Sequence, residues 1–367
     1  MGLFSSNKNF LGIDIGSTSI KIVELAKHKS KPKLVSYGFA DQLSNLLADN
    51  SPQAQMKAGG LIEKILAQSK ITTRRAVTAL PNFYVFSSVI NVPVTTRKSL
   101  QDTIRWEAKK IVPMNLDEVI LDWKILNEAD LNIIKNDEKK RKRGQRKITR
   151  GEEIAKTVEV LITAAPRNLV QKYINIFKLA TVNLSSLETE SFALARSLLS
   201  DYSESVMILD IGSLASDIMI IEQGIPVITR SIDVGGKSVT QAIERSLKVD
   251  FKRAEQLKQD IGIMEQYYAE GISRVIAGTF GSVVNEINYT IDLYKNRGKK
   301  IARIILSGGS SYLAGLSHYF QNTLKIDVHV GDPWHKVSYA PDLQPVVEEI
   351  GPRFAVAIGL ALRDIDI

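Results

Sequence analysis

Residues 10–25, FLGIDIGSTSIKIVEL, return in outline at residues 205–224, SVMILDIGSLASDIMIIEQG. Each copy is an apolar strand running into Asp-Ile-Gly-Ser, a turn, and a second apolar strand, and the two aspartates, Asp14 and Asp210, stand 196 residues apart. Short apolar runs joined by a glycine-containing turn read as a buried hairpin. Such a turn gathers backbone N–H groups into a concave donor cluster that suits phosphate oxygens. The hydroxyls of Ser17 and Ser213 add donors. An aspartate repels phosphate but can hold Mg²⁺ through water, because this hard ion keeps much of its hydration shell. Lys21, seven residues after Asp14, lies on the returning strand, where it could reach a phosphate. One Asp-x-Gly-Ser is usually a plain turn; two in equivalent settings point to half-sites gripping a polyphosphate from both sides.

Outward from these loops, the first half predicts strands over 10–15, 20–25 and 34–39, and a helix near 56–69. Strands follow at 76–80 and 85–93, and Thr96 or Ser99 could cap a helix that runs to Pro113. Strand 118–126 leads into a basic insertion, 127–156, and strand 156–166 leaves it. The second half predicts strands over 205–211 and 217–222, a third in PVITRSIDV, and helices near 238–246, 251–259 and 273–297. RIILSGGSSYLAGL, residues 303–316, reads as a buried strand, a Ser-Gly-Gly turn and a helix start near 313; its glycines let backbone approach a flat ligand closely. The tail PRFAVAIGLALRD reads as an apolar helix. Two α/β halves with matching openings imply duplicated domains rather than a solenoid of short period.

The composition is 44% hydrophobic and 24% charged over 367 residues, as in a soluble globular protein of one large or two ordinary domains. No run approaches 18 uncharged apolar residues, which argues against a membrane span, and the N-terminus has no secretory signal; cytosolic residence is the expectation. Gly2 and Ser6 fit the loose myristoylation pattern, which is short enough to arise by chance. With no cysteine there is no disulfide framework or thiolate chemistry. The net charge of +8 is local: residues 135–150 hold nine Lys/Arg and two acids, a +7 run that leaves +1 elsewhere. A solvated loop is the first reading of that run, and contact with anionic lipid the second. No helix-turn-helix or zinc-finger pattern accompanies it, so specific nucleic-acid binding is not expected. GGKS at 235–238 is not a Walker A loop, since the required first glycine falls on Ser231.

The three glycine turns, in this order, resemble the actin-like ATPase superfamily. The resemblance implies an α/β fold of two duplicated halves around a nucleotide cleft that binds ATP and Mg²⁺. By it, Asp14, Gly16, Ser17, Thr18 and Lys21 form the first phosphate loop, and Asp210, Gly212 and Ser213 the second, with Asp14 and Asp210 holding Mg²⁺ through water. Ser307, Gly308 and Gly309 match the adenosine loop, joined by Gly235, Gly236 and the Glu255/Lys258 pair of RAEQLKQD. Spacing i, i+3 puts the last two on one helix face, where a plain surface ion pair is the competing reading.

The segments GGKSVTQAIE, RAEQLKQDIG, SGGSSYLAGL and AIGLALR, with the inserted stretch 76–180, resemble the FtsA-like PilM family of type IV pilus assembly. The resemblance covers all but the basic insertion. It implies subdomain 1A over 1–75, 181–203 and 340–367, an FtsA-type 1C over 76–180, 2A over 204–235 and 300–339, and 2B over 236–299. It also implies a cytoplasmic scaffold, peripheral to the inner membrane, that binds the N-terminal peptide of a PilN-like membrane protein in a groove formed with the inserted subdomain. The sequence supplies Trp106, Ile111, Val112 and Trp123 as apolar surface there. An FtsA-like or type II secretion L-like scaffold is the alternative, and self-association stays open. Hydrolysis would need a residue that activates water; Glu188 and Glu190 of LETE are the candidates, for at most slow ATPase activity.

Overall fold

The computed structural model describes residues 9–28, 30–41, 48–93, 97–126, 157–264 and 271–365. Gly2, Ser6, Thr96, the side chain of Ser99 and the basic run 135–150 lie outside the described residues. The chain forms two compact units, one of Met1–Phe83 with Lys172–Ile367 and one of Tyr84–Gln171.

The larger unit holds two five-stranded sheets. Strands β1 (Asn9–Ile15), β2 (Ser19–Ala26), β3 (Lys33–Asp41), β4 (Arg75–Leu80) and β8 (Asn183–Thr189) stand in the order β3-β2-β1-β4-β8. Strands β9 (Val206–Ile211), β10 (Ser216–Glu222), β11 (Ile225–Ile232), β12 (Arg303–Ser307) and β13 (Val328–Val330) stand in the order β11-β10-β9-β12-β13. In both, the first three strands of the set pair antiparallel, and the first, fourth and fifth pair parallel. The repeat legible in two loops thus extends over five strands per half. The hairpins are buried on both faces, which explains runs such as Val206–Leu209 without polar alternation.

Helices α4 (Glu190–Leu198) and α9 (Gln344–Leu362) share one apolar core with both sheets, in which Val77, Leu194, Ile208, Met219, Ile305 and Leu360 meet. Each fully buried aliphatic side chain there contributes about 1.5–3 kcal/mol. The remaining helices of this unit are α1 (Pro52–Gln68), α5 (Gly236–Leu247), α6 (Phe251–Ile261), α7 (Ile272–Lys295) and α8 (Leu316–Leu324).

Several elements differ from the sequence reading, among them α8, which begins at Leu316 and not near 313. Helix α1 begins at Pro52, because Ser51 caps it by accepting the Ala54 N–H at 3.2 Å and proline suits the first turn. The short β13 carried too little pattern to be read. Helix α9 runs through Pro352 rather than starting there. That proline lacks the N–H that would serve the Glu348 carbonyl, and the Tyr312 hydroxyl donates to this carbonyl instead.

In the smaller unit, β5 (Phe86–Pro93), β7 (Thr157–Pro166) and β6 (Val119–Ile125) form an antiparallel sheet in the order β5-β7-β6. Period-two residues Val158, Val160, Ile162 and Ala164 of β7 meet Ile104 and Ala108 of α2 (Arg97–Ile111) in its core. Val112 belongs to that core and Trp123 packs against it, whereas Trp106 is 62% exposed with the Lys110 ammonium 3.4 Å above its ring. The unit boundary falls within α3 (Arg167–Leu179).

Candidate nucleotide site

Both repeated turns close in the same way. The Gly16 N–H donates to the Ser19 carbonyl at 2.9 Å, and the Gly212 N–H donates to the Ala215 carbonyl at 2.9 Å. Ser17, Thr18 and Ser213 sit in these turns, partly exposed. Strand register then sets what faces each aspartate. Asp14 pairs with Lys21, and the ammonium lies 2.9 Å from the carboxylate. At the equivalent place in the second copy, Asp210 pairs with Asp217.

That difference makes the second half acidic. Burial first, then the neighbouring Asp14 charge, push Asp210 up to about 6, against the Ser307 hydrogen bond and Lys21. Burial and Asp210 push Asp217 up to about 7, against hydrogen bonds from Ser231 and Asn82. Glu190, the first residue of α4, joins them and accepts the Asn82 N–H at 3.0 Å. Burial, then Asp217, Asp14 and Asp210, hold its carboxyl well above the ordinary value. Sequence reasoning missed Asp217 and Asn82. Asp217 was visible as the residue seven after Asp210, as Lys21 is seven after Asp14.

The two glutamates of LETE part company. Glu188 accepts from both terminal nitrogens of Arg196, at 2.7 and 3.0 Å, and lies 3.2 Å from Arg363 Nε. It is a structural ion-pair partner, and the structure leaves it out of the carboxylate cluster that contains Glu190.

The second turn is a hub for the other glycines. Gly236 N–H donates to the Gly212 carbonyl at 2.9 Å, and a Cβ on Gly235 would stand 2.6 Å from the Ser213 carbonyl oxygen. Gly308 has φ of +84°, and a Cβ there would meet the Ile211 carbonyl oxygen at 2.4 Å. Glycine is needed at both positions for close backbone approach. Ser307 lies opposite Asp210 in the parallel β9–β12 register. On α6, Lys258 donates to Glu255 at 2.8 Å, to Thr240 at 3.0 Å and to the Gly236 carbonyl at 3.2 Å. Burial opposes the Glu255 charge, but the Lys258 and Thr240 hydrogen bonds outweigh it and hold the carboxyl below its ordinary value. The structure therefore brings Gly235, Gly236, Glu255 and Lys258 together beside the second turn, with Ser307, Gly308 and Gly309 adjoining.

The family model for the type IV pilus assembly protein PilM matches residues 12–139 and 146–365. The chain belongs to the PilM family. The match leaves out only 140–145 between its two parts, within the basic insertion. A solved PilM-PilN type IV pilus biogenesis complex is 25% identical, covers 98% of this chain and 100% of its own, with a TM-score of 0.80. MreB5 of Spiroplasma citri bound to ADP shares the fold at 13% identity and a TM-score of 0.51, over 97% of this chain and 96% of that one. The cell division protein FtsA of Neisseria meningitidis is 25% identical over 177 residues, 42% of this chain. The matched part spans about two fifths of that relative, 41% of its length. The fold is thus the actin-like ATPase fold, and the duplicated five-stranded sheets are its two halves. Among the described residues, no helix is long and apolar enough to cross a membrane.

Proposed function

We propose that this PilM-family chain binds ATP with a hydrated Mg²⁺ and serves as a nucleotide-gated scaffold in type IV pilus assembly. The observation that carries the nucleotide reading is the pair of equivalent turns at Gly16 and Gly212, the second closed upon by Gly235, Gly236 and Gly308. Ser17, Thr18, Ser213 and the turn N–H groups would hold phosphate oxygens, and Gly308, Gly309, Glu255 and Lys258 the adenosine. Asp14 and Asp210 fit a magnesium ion held through water: their donors are carboxylate oxygens, and burial, then the Asp14 charge, disfavour ionised Asp210 in a way that a cation would offset. Bound Mg²⁺ would supply positive charge at the phosphates, with Asp14 and Asp210 holding its water shell. The ADP-bound MreB5 of the same fold supports this reading.

The partner in this proposal is the N-terminal cytoplasmic peptide of a PilN-like inner-membrane protein, supported by the PilM-PilN complex among the related structures. It would hold the chain at the cytoplasmic face of the inner membrane and would require the inserted subdomain 1C, whose bounds of 76–180 from the resemblance take in β4 of the first sheet and exceed the compact unit Tyr84–Gln171. A peptide arriving unstructured binds through few apolar anchors and main-chain pairing. Titration of a fluorescent PilN-like peptide into intact protein, with and without Mg·ATP, tests this. Binding in either state supports the scaffold, and failure in both removes it. Slow ATP hydrolysis is the second reading, favoured by Glu190, a buried carboxyl under the charges of Asp217, Asp14 and Asp210 that could take a proton from water when ionised.

A further inference from the structure

Pro352 lies inside α9 at the point where that helix meets the Ser-Gly-Gly turn. Its carbonyl accepts the Gly308 N–H at 3.1 Å and lies 3.3 Å from the Ser307 hydroxyl oxygen, while Tyr312 satisfies the Glu348 carbonyl on the preceding turn. The next residue, Arg353, is thereby fixed at the rim of the candidate adenosine loop. Its Cγ lies 4.0 Å from where a Cβ on Gly309 would stand. Its guanidinium is ion-paired with Asp41 at the end of β3 and stands 4.8 Å from the Phe39 ring centroid. Burial pulls the guanidinium below its ordinary value, and the charge of Asp14 pulls the other way. A cation therefore sits within the influence of the first-loop aspartate and against the adenosine turn.

We propose that Arg353 is a phosphate-binding residue of the nucleotide site, whose guanidinium exchanges its Asp41 partner for a phosphate oxygen of a nucleoside di- or triphosphate on binding. This rests on the nucleotide reading above. Three features carry it. Arg353 reaches from the Gly309 turn to Asp41, and Asp41 pairs with Ser19 at the exit of the first turn, so the guanidinium lies between the two loops. The guanidinium is a planar fork that matches phosphate bidentately. Asp41 is a weak holder: its side chain is 60% exposed, and an exposed pair contributes little. The Phe39 ring, which packs edge-on to Phe354 at 6.0 Å, gives the guanidinium a face to slide across. Nucleotide arrival would free Asp41 at the end of β3, an edge strand of the first sheet.

Calorimetry with ADP, ATP and adenosine, each with Mg²⁺, on wild type, R353A and D41N tests the exchange. R353A should bind ADP and ATP about tenfold or more weakly, as the loss of a charged hydrogen bond implies, with adenosine unchanged. D41N should bind ADP and ATP more tightly than wild type, because the competing carboxylate is gone. That gain cannot come from a merely structural role, and it keeps the proposal testable should R353A fold poorly. ADP affinity insensitive to both variants, a D41N loss, or an R353A loss equal for adenosine and ADP overturns it. Wild type that binds neither ADP nor ATP removes the nucleotide reading itself, and this proposal with it.

Discussion

Asp210 and Asp217 face each other across the β9–β10 pair, where the first copy of the same hairpin sets Asp14 against Lys21. Duplication kept the turn and inverted the partner's charge. One aspartate therefore has a cation as its register partner, and the other has a second carboxylate.

Stability of the ligand-free protein should register that imbalance through pH. Folded Asp217 keeps its proton to about 7, whereas its ordinary value is 3.8. Between those values the folded state binds more protons than the unfolded state, so this group's contribution is full below the lower value and is lost as pH rises to the upper one. D217N, permanently neutral, should gain on wild type across pH 4–7, by at most about 1.4 kcal/mol per pH unit. Thermal unfolding of both proteins from pH 4 to 8 measures it; a difference independent of pH would contradict the raised value.

Binding of Mg·ATP should weaken in D14N and in D210N, each by about tenfold or more, since each removes a charged acceptor for the magnesium's water shell. Asparagine preserves shape and leaves Lys21 a polar neighbour. Isothermal calorimetry reads the loss, and unchanged affinity in both would sink the two-turn site.

Glycine substitutions separate backbone approach from helix propensity. G308A should cost about 2–4 kcal/mol, because an L residue is strained at φ +84° and its Cβ would overlap the Ile211 carbonyl. G60A, in α1 with nothing within 4 Å of the new Cβ, should gain about 0.5–1 kcal/mol. Denaturant unfolding of the pair decides; equal effects of one sign would refute the argument.

The two glutamates should separate by phenotype. E188Q breaks the pairing with Arg196 and Arg363 and should lower stability by about 3 kcal/mol, with ATP binding retained. E190Q relieves a crowd of carboxyls, so its thermal midpoint should not fall, yet any slow phosphate release should disappear. Long incubations with ATP, followed by phosphate assay, measure the second effect; release unchanged in E190Q would remove Glu190 from the chemistry.

The sequence by itself determined the repeated hairpins, the Ser-Gly-Gly turn and the family, because turn chemistry and strand periodicity are local. Asp-x-Gly-Ser after an apolar run specifies its turn whatever surrounds it, as the matching 2.9 Å closures at Gly16 and Gly212 show. Tertiary structure decided which charges meet. Glu188 and Glu190 are two residues apart, yet β8 ends at Thr189 and α4 begins at Glu190, so the helix start turns one carboxyl to the aspartates while arginines hold the other. Helix α9 could be read only from Pro352 onward, because the hydroxyl that satisfies its orphaned carbonyl comes from Tyr312, in the turn after β12. Arg353 and Asp41 are 312 residues apart, and no local pattern encodes their pairing. Electrostatic partners are chosen by distance in space, and the packing of α9 against both sheets sets that distance.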